Sequence, residues 1–380
     1  MLLVILLVLV TACYLGLIAA LIYGWKRLPY FSLHKTNAET GFSIIIPYRN
    51  EAGNLPALFK SLSGLHYPLE KFEIILVNDQ SLDTSKTLCE DFQKSFPEMK
   101  IRLLENIRRS VSPKKDAVQT GIDESAFDFI ATTDADCIIP VNWLRAFDQE
   151  ISENGSKLIA GPVAFMQNAG FKKPLFQKFE EMDFMSLQST TIGSFGIEKP
   201  FMCNAANLCY EKQVFVDHAG FSENENIASG DDVFLLQSLR KKGVKVSFLK
   251  SERLIVYTGF QETLGSLISQ RIRWAAKASA YKSYFGKFSG VTVFLMNLFL
   301  IMYAGLALFD LVSYQYVMLA FLLKFNSDFI LIYKAAKFFD RESLMRSYFW
   351  CSIVYPFFSV YVAGLSFFSG YEWKGRKFRK

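Results

Sequence analysis

Histidine is almost missing from this chain, with 3 in 380 residues. That scarcity argues against an imidazole-based metal centre, and the His-Glu-x-x-His helix of zinc hydrolases does not occur. The six cysteines, at 13, 89, 137, 203, 209 and 351, are scattered without paired spacing. They fit buried thiols in a reduced compartment better than disulfides or zinc. No Gly-x-x-x-x-Gly-Lys-Ser/Thr is present, so this is not a P-loop NTPase. No Gly-x-Gly-x-x-Gly follows the first strand candidate, which weakens a dinucleotide cofactor. Internal repeats and low-complexity segments are absent, and no basic, aromatic-interleaved surface points to nucleic acid.

Charge is also missing, in blocks. Met1 to Tyr23 carries none, and neither does Val291–Phe309. Two further apolar blocks lie near Tyr316–Tyr333 and Tyr348–Phe368. Uncharged runs of about 18 residues are long enough to cross a bilayer core. They account for a hydrophobic content of 51%, because Thr36 to Ser289 has ordinary globular composition. The first run has no basic residue ahead of it, and Lys26-Arg27 follow it, so it reads as a retained anchor rather than a signal peptide. By the positive-inside rule, Lys26, Arg27 and Lys35 place the soluble part in the cytoplasm of a multi-pass inner-membrane protein. The net charge of +6 comes largely from such flanking clusters, which suit a lipid bilayer surface. The C-terminal third is contradictory. Lys334, Lys337, Arg341 and Arg346 mark a cytoplasmic loop, and the basic tail Lys374–Lys380 marks another. Both are inside only if Tyr348–Phe368 turns back near Pro356 or Tyr316–Tyr333 is irregular, as Lys324 and Asp328 within it suggest.

The expected organisation is an anchor over 1–24, a catalytic domain over 36–262, an amphipathic interfacial helix over 263–288, a membrane region over 289–370 and a basic tail over 371–380. Within the soluble part, apolar runs at Phe42–Ile46, Phe72–Val77, Ile101–Leu104 and Phe127–Thr133 alternate with helical stretches at Leu55–Leu62, Thr84–Phe96 and from Ala117. That alternation predicts an α/β domain with a mostly parallel sheet flanked by helices. Ligands of such sheets bind beyond the carboxyl ends of the strands.

The residues found there are polar and acidic. Pro47, Arg49 and Glu51 follow the first strand, Asp79 the second, Asp134 and Asp136 the fourth. Carboxylates two apart share a face and suit Mg2+ or Mn2+, which takes one or two carboxylates plus phosphate oxygens; a solvated turn is the alternative. Asp79 suits either a helix N-cap, with Ser81 or Asp83, or a nucleotide base or ribose. Asp231-Asp232 opens a buried helix, where one acid would suffice for the dipole. The second is free to act as a general base. Gln270, Arg273 and Trp274 share one face of a helix. They suit either a diphosphate and a sugar ring, or a helix lying on the membrane.

Asp79, Asp134-x-Asp136, Asp231-Asp232 and Gln270-x-x-Arg273-Trp274 together, in this order, resemble the D, DxD, acidic-Asp, QxxRW series of family 2 glycosyltransferases. Cellulose, chitin and hyaluronan synthases and ceramide-type glucosyltransferases are of this kind. The resemblance spans about Phe42 to Trp274 and implies a GT-A-like fold. It implies that Pro47, Arg49, Glu51, Asp79 and Lys114 (or Lys115) contact the nucleotide, and that Asp134 and Asp136 hold donor and divalent metal. It further implies that Asn204 lies in the loop beside the acceptor, that Asp232 is the base, and that Gln270, Arg273 and Trp274 cover diphosphate and acceptor. Two departures stand out. The usual Glu-Asp is here Asp231-Asp232, so either acid could be the base, and the Cys-Gly-small loop is here Cys203-Asn204-Ala205. The implied activity is inverting transfer from a nucleoside-diphosphate sugar, a UDP-sugar by preference, to a lipid or glycan acceptor in cell-envelope glycoconjugate synthesis. A processive polysaccharide synthase is the alternative, and a non-catalytic membrane scaffold the alternative from another class.

Overall fold

A computed structural model describes residues 2–34, 37–167, 173–217, 230–278, 280–368, 371–373 and 376–378. In chain order the elements are α1 (Leu2–Arg27), β1 (Phe42–Tyr48), α2 (Leu55–Ser63), β2 (Phe72–Asn78), α3 (Ser85–Ser95), β3 (Ile101–Glu105), α4 (Pro113–Asp123), β4 (Phe129–Thr132), α5 (Trp143–Asn154), β5 (Leu158–Ala160), β6 (Val163–Phe165), α6 (Leu175–Gly196), β7 (Leu208–Glu211), α7 (Lys212–Asp217), α8 (Asp231–Lys241), β8 (Val246–Phe248), β9 (Val256–Thr258), α9 (Leu264–Ala278), α10 (Tyr284–Leu308), α11 (Tyr314–Phe338), α12 (Tyr348–Phe368), β10 (Tyr371–Trp373) and β11 (Arg376–Phe378). They sort into two compact units. One comprises Pro29–Gln167 and Met202–Gly259, the other Met1–Leu28, Asn168–Phe201 and Phe260–Lys380.

The first unit is built on a seven-stranded sheet of order β3-β2-β1-β4-β7-β5-β8. β1 runs parallel to β2 and β4, and β2 parallel to β3, while β7 is antiparallel to both β4 and β5. The alternating apolar runs thus become the expected mostly parallel sheet. β1 and β2 are near-continuous apolar runs because both faces are covered; every residue of β2 is buried. After β3 the chain returns to the other side of β1, so the order reverses between β1 and β4. Such a reversal opens a crevice at the strand ends. Pairing of β1 with β4 stops at Ile45↔Thr132, so Pro47, with no N–H to give, faces no partner on β4 while it stays in register with Val77 of β2.

The second unit is helical. Leu7, Tyr14, Leu17, Ile18 and Leu21 of α1 share a core with Met296, Leu300 and Tyr303 of α10 and Ala320 and Leu331 of α11. Four stretches, Leu3–Arg27, Tyr284–Leu308, Tyr314–Phe338 and Glu342–Ser366, are long and apolar enough to cross a membrane. α1 and α6 cross closely. A Cβ on Gly24 would strike the Gly193 carbonyl oxygen, and one on Gly196 would strike that of Gly24.

Three sequence expectations change here. The catalytic domain is not continuous over 36–262, since Asn168–Phe201 belongs to the helical unit; the glycine contacts that bind α6 to α1 are the physical reason. The single helix expected over 263–288 is two, because Ser283 caps a new one at Tyr284, its hydroxyl accepting from the Gly286 N–H at 3.1 Å. Neither irregularity foreseen in the C-terminal third is present: α11 and α12 are continuous, with Pro356 inside α12. Lys324 and Asp328 cause no break because they pair with each other at 2.6 Å, and the Tyr14 hydroxyl donates to Asp328 at 2.6 Å. In the tail, β10 and β11 form an antiparallel pair.

Candidate active site

The crevice between the ends of β1 and β4 gathers most of the acids named from the sequence. The turn after β1 is held to the turn after β2 by reciprocal bonds. Arg49 donates through Nη1 to the carbonyls of Asp79 and Gln80, each at 2.7 Å. Asn50, in the left-handed region at φ 51, accepts from the Leu82 N–H at 2.7 Å and donates its own N–H to the Ser81 hydroxyl at 3.1 Å. The Glu51 N–H reaches the Ser85 hydroxyl at 2.8 Å, and its buried carboxylate accepts from the Asn54 amide at 2.6 Å.

Asp79 is buried, and its Oδ1 accepts from the Asn106 side-chain amide at 2.7 Å. The capping duty that Asp79 might have had falls to Asp83, whose two oxygens accept from the N–H groups of Ala52 and Ser85, both at 3.0 Å. Burial is the largest single influence and raises the Asp83 carboxyl, but hydrogen bonds from the Ser85 side chain and from the Ala52 and Ser85 N–H groups together outweigh it and lower the carboxyl below its ordinary value. Asn106 was not anticipated. It follows β3 directly, so the strand-end rule applied to the third strand points to it.

Lys114, in the first turn of α4, is the cation of the site. Its ammonium pairs with Asp134 and lies 3.8 Å from Asp231. Burial alone would pull its proton affinity down, but Asp134, Asp231 and Asp232 overcome that and hold it above the ordinary lysine value. Lys115, the competing candidate, is turned inward and packs over the Phe234 ring of α8 at 5.4 Å.

Beyond β4, Ala135 is buried while Asp134 and Asp136 are half-exposed. Asp136 accepts from the Thr258 hydroxyl of β9 at 3.2 Å. Both carboxylates lie beside Cys137, whose thiol is raised by burial first and by Asp136 and Asp134 next, so it stays protonated. Among the described residues no three His, Cys, Asp or Glu side chains converge on one point. Asp136, with Asp134 beside it, nevertheless fits a hard cation that takes its remaining oxygens from a diphosphate and water.

Asp231 and Asp232 open α8 after Gly230, which is at φ 90. Asp232 Oδ2 accepts from the Ala205 N–H at 3.2 Å and Oδ1 from the Val233 N–H at 2.7 Å. The Ala205 carbonyl accepts in turn from the Thr132 hydroxyl at 2.8 Å, which ties this loop to the end of β4. Asn204 turns its Oδ1 back onto the Ala206 N–H at 3.0 Å. Pro47, Arg49, Glu51, Asp79, Lys114, Asp134, Asp136, Asn204, Asp231 and Asp232 are therefore all in the sheet-containing unit, while Gln270, Arg273 and Trp274 lie on α9 of the helical unit.

Two family models match the chain: "Glycosyl transferase family 2" over residues 43–210 and "Glycosyl transferase family group 2" over residues 129–329. Glycosyltransferase AglE of Haloferax volcanii is 26% identical over 207 residues, 54% of this chain and 63% of its own. Poly-beta-1,6-N-acetyl-D-glucosamine synthase of Staphylococcus epidermidis is 24% identical over 235 residues, 62% of this chain and 54% of its own. The chain thus spans somewhat over half the length of these relatives. Among solved structures, the mannosyltransferase PcManGT of Pyrobaculum calidifontis, in complex with GDP-Man and Mn2+, superposes with a TM-score of 0.57 at 14% identity, covering 92% of this chain and 99% of that one. The α/β fold is of the GT-A kind, as the strand order implies.

Proposed function

Since this chain belongs to glycosyl transferase family 2, we propose that it transfers a sugar from a nucleoside-diphosphate donor to a lipid or lipid-linked acceptor, with inversion at the anomeric carbon. The observation that carries this reading is the cluster at the β1/β4 reversal. It sets a recessed carboxylate, Asp79, apart from a cation, Lys114, ringed by three acids. The two features match the two ends of a nucleoside diphosphate.

In this reading Asp79, with Pro47, Arg49 and Glu51, holds base and ribose; uridine is the base we favour. Lys114 and Asp134 orient the first phosphate. Asp136, with Asp134, would hold a divalent cation, Mg2+ or Mn2+, which would supply positive charge for the departing diphosphate. Asp232 takes the proton of the acceptor hydroxyl as that oxygen attacks the anomeric carbon and the bond to the diphosphate breaks. Its Oδ2 accepts from the Ala205 N–H and its Oδ1 from the Val233 N–H, which orient the carboxylate. Asp231 is the weaker candidate because Lys114 already compensates its charge. Gln270, Arg273 and Trp274 serve diphosphate and acceptor, and Asn204 the acceptor sugar, by resemblance. The setting we favour is the inner membrane, with catalysis on the cytoplasmic side and product destined for the cell envelope.

The test is a panel of UDP- and GDP-sugars supplied with Mn2+ to native membranes containing the protein. One UDP-sugar should be consumed and its label should enter the organic-extractable lipid. Label in a large polymer instead would favour a processive synthase, the reading that the name of the Staphylococcus relative supports. No donor consumed, together with no metal-dependent nucleotide binding, would restore the non-catalytic scaffold.

A further inference from the structure

Arg271 stands between the motif residues Gln270 and Arg273, and its surroundings set it apart. It is 5% exposed, against a half-buried Gln270 and Trp274. Its guanidinium makes three different contacts. Nε donates to Asp183 of α6 at 2.5 Å. Nη1 donates to the side-chain oxygen of Gln270. The guanidinium carbon lies 4.3 Å from the centre of the Trp274 ring. Phe184, next to Asp183, touches the same indole, with ring centres 6.2 Å apart. Arginine is the side chain that offers a planar fork and a stacking face together. The start of α9 is held by the same helix: the Gln261 N–H donates to Glu180, and the Gln177 amide donates to the Gln261 carbonyl, both at 3.2 Å.

A buried ion pair is a poor source of net stability, because desolvation offsets most of the attraction. Its usual merit is a fixed geometry. We propose that Asp183 and Arg271 are positioning residues: Asp183 orients Arg271, and Arg271 holds Gln270 and Trp274 in the arrangement that receives the acceptor. This rests on the acceptor role given to Gln270 and Trp274 in the proposed transfer. Asp183 lies far from the motif in sequence, on a helix that interrupts the catalytic unit, so the motif as written in the sequence is incomplete without α6.

The experiment uses the full-length protein in lipid nanodiscs with its five tryptophans replaced by 5-fluorotryptophan, the Trp274 fluorine resonance being assigned with Trp274→Phe. Asp183→Asn and Arg271→Lys should each shift and broaden that resonance and leave the other four in place. In the transfer assay both should lower kcat/KM for the acceptor about tenfold, the scale of a lost cation–π contact with its charge-assisted bond, at unchanged donor affinity. Asp183→Asn is the milder change and keeps the test open if Arg271→Lys does not fold. A Trp274 resonance unmoved in both variants overturns the proposal, as does a moved resonance with unchanged acceptor kinetics. All five resonances moving together would show a general role in folding and also overturns it. The resonance reports on the clamp even if no donor is ever consumed, so a failure of the transfer reading is recognised separately.

Discussion

Asp232 and Asp136 are the same side chain, one opening a helix and the other following a strand, and their surroundings differ. Asp232 is clasped by two backbone N–H groups, and Asp136, half-exposed, meets the Thr258 hydroxyl and the Cys137 thiol. Asp232→Asn should therefore keep donor binding while turnover falls roughly 100- to 10,000-fold, the usual worth of a general base. Comparing donor titration with turnover in one preparation checks this. Asp231→Asn, by the same measurement, should cost less turnover. Asp136→Ala should weaken donor binding in Mn2+ and change it little in EDTA, as read by calorimetry with each donor. Positions were legible where the strand-end rule applies, as at Asp134 and Asp136, which follow β4. They were illegible where direction decides. Lys114 and Lys115 are neighbours of one type, and only the turn of α4 aims one at Asp134 and the other at Phe234. Asn106 passed unnoticed because an asparagine after a strand reads as a turn residue until Asp79 is seen beside it.

At the scale of elements, α6 is the instructive case. Its sequence carries Glu180, Glu181 and Asp183 and has no long apolar run, so nothing in its composition assigns it to the helical unit. Beside ring contacts such as Phe179 on Phe358 of α12, it is held by backbone and charge: the Gly193 and Gly196 crossing with α1, and ion pairs from Glu181 to Lys173 and Arg341 and from Asp183 to Arg271. Periodicity reads apolar faces and is blind to both. Gly196→Val should force α1 and α6 apart and destabilise the protein by about 1–3 kcal/mol, the range for overpacking. A lowered melting temperature in detergent, with Gly16→Val as the uncrowded control, measures it; a Cβ at Gly16 meets nothing. Burial lifts the Glu180 carboxyl to about 7, against the opposing pull of Arg271. For an acid raised above its unfolded value of 4.5, the folded state binds the proton more tightly. Its stabilisation is full below about 4.5 and is lost as pH rises through about 7. Glu180→Gln, which mimics the neutral form, should flatten melting temperature across that window.

For the whole molecule, composition alone separated apolar spans from a globular α/β part, and the four candidate spans fall where apolar blocks predicted them. The parity conflict between basic loop and basic tail is another matter. With α1, α10, α11 and α12 each crossing once, both chain ends emerge on one side and the 339–347 loop on the other. On the orientation we propose, that loop lies in the cytoplasm and the tail outside despite its charge. In intact cells a cysteine added after Lys380 should react with a membrane-impermeant maleimide, and Asp340→Cys, outside the candidate spans, should not.

The chain passes from one unit to the other between residues 28 and 29, 167 and 168, 201 and 202, and 259 and 260. No single crossover in the gene can lift the sugar-transferring unit out and graft it onto another anchor, because the piece between 168 and 201 would arrive without α1.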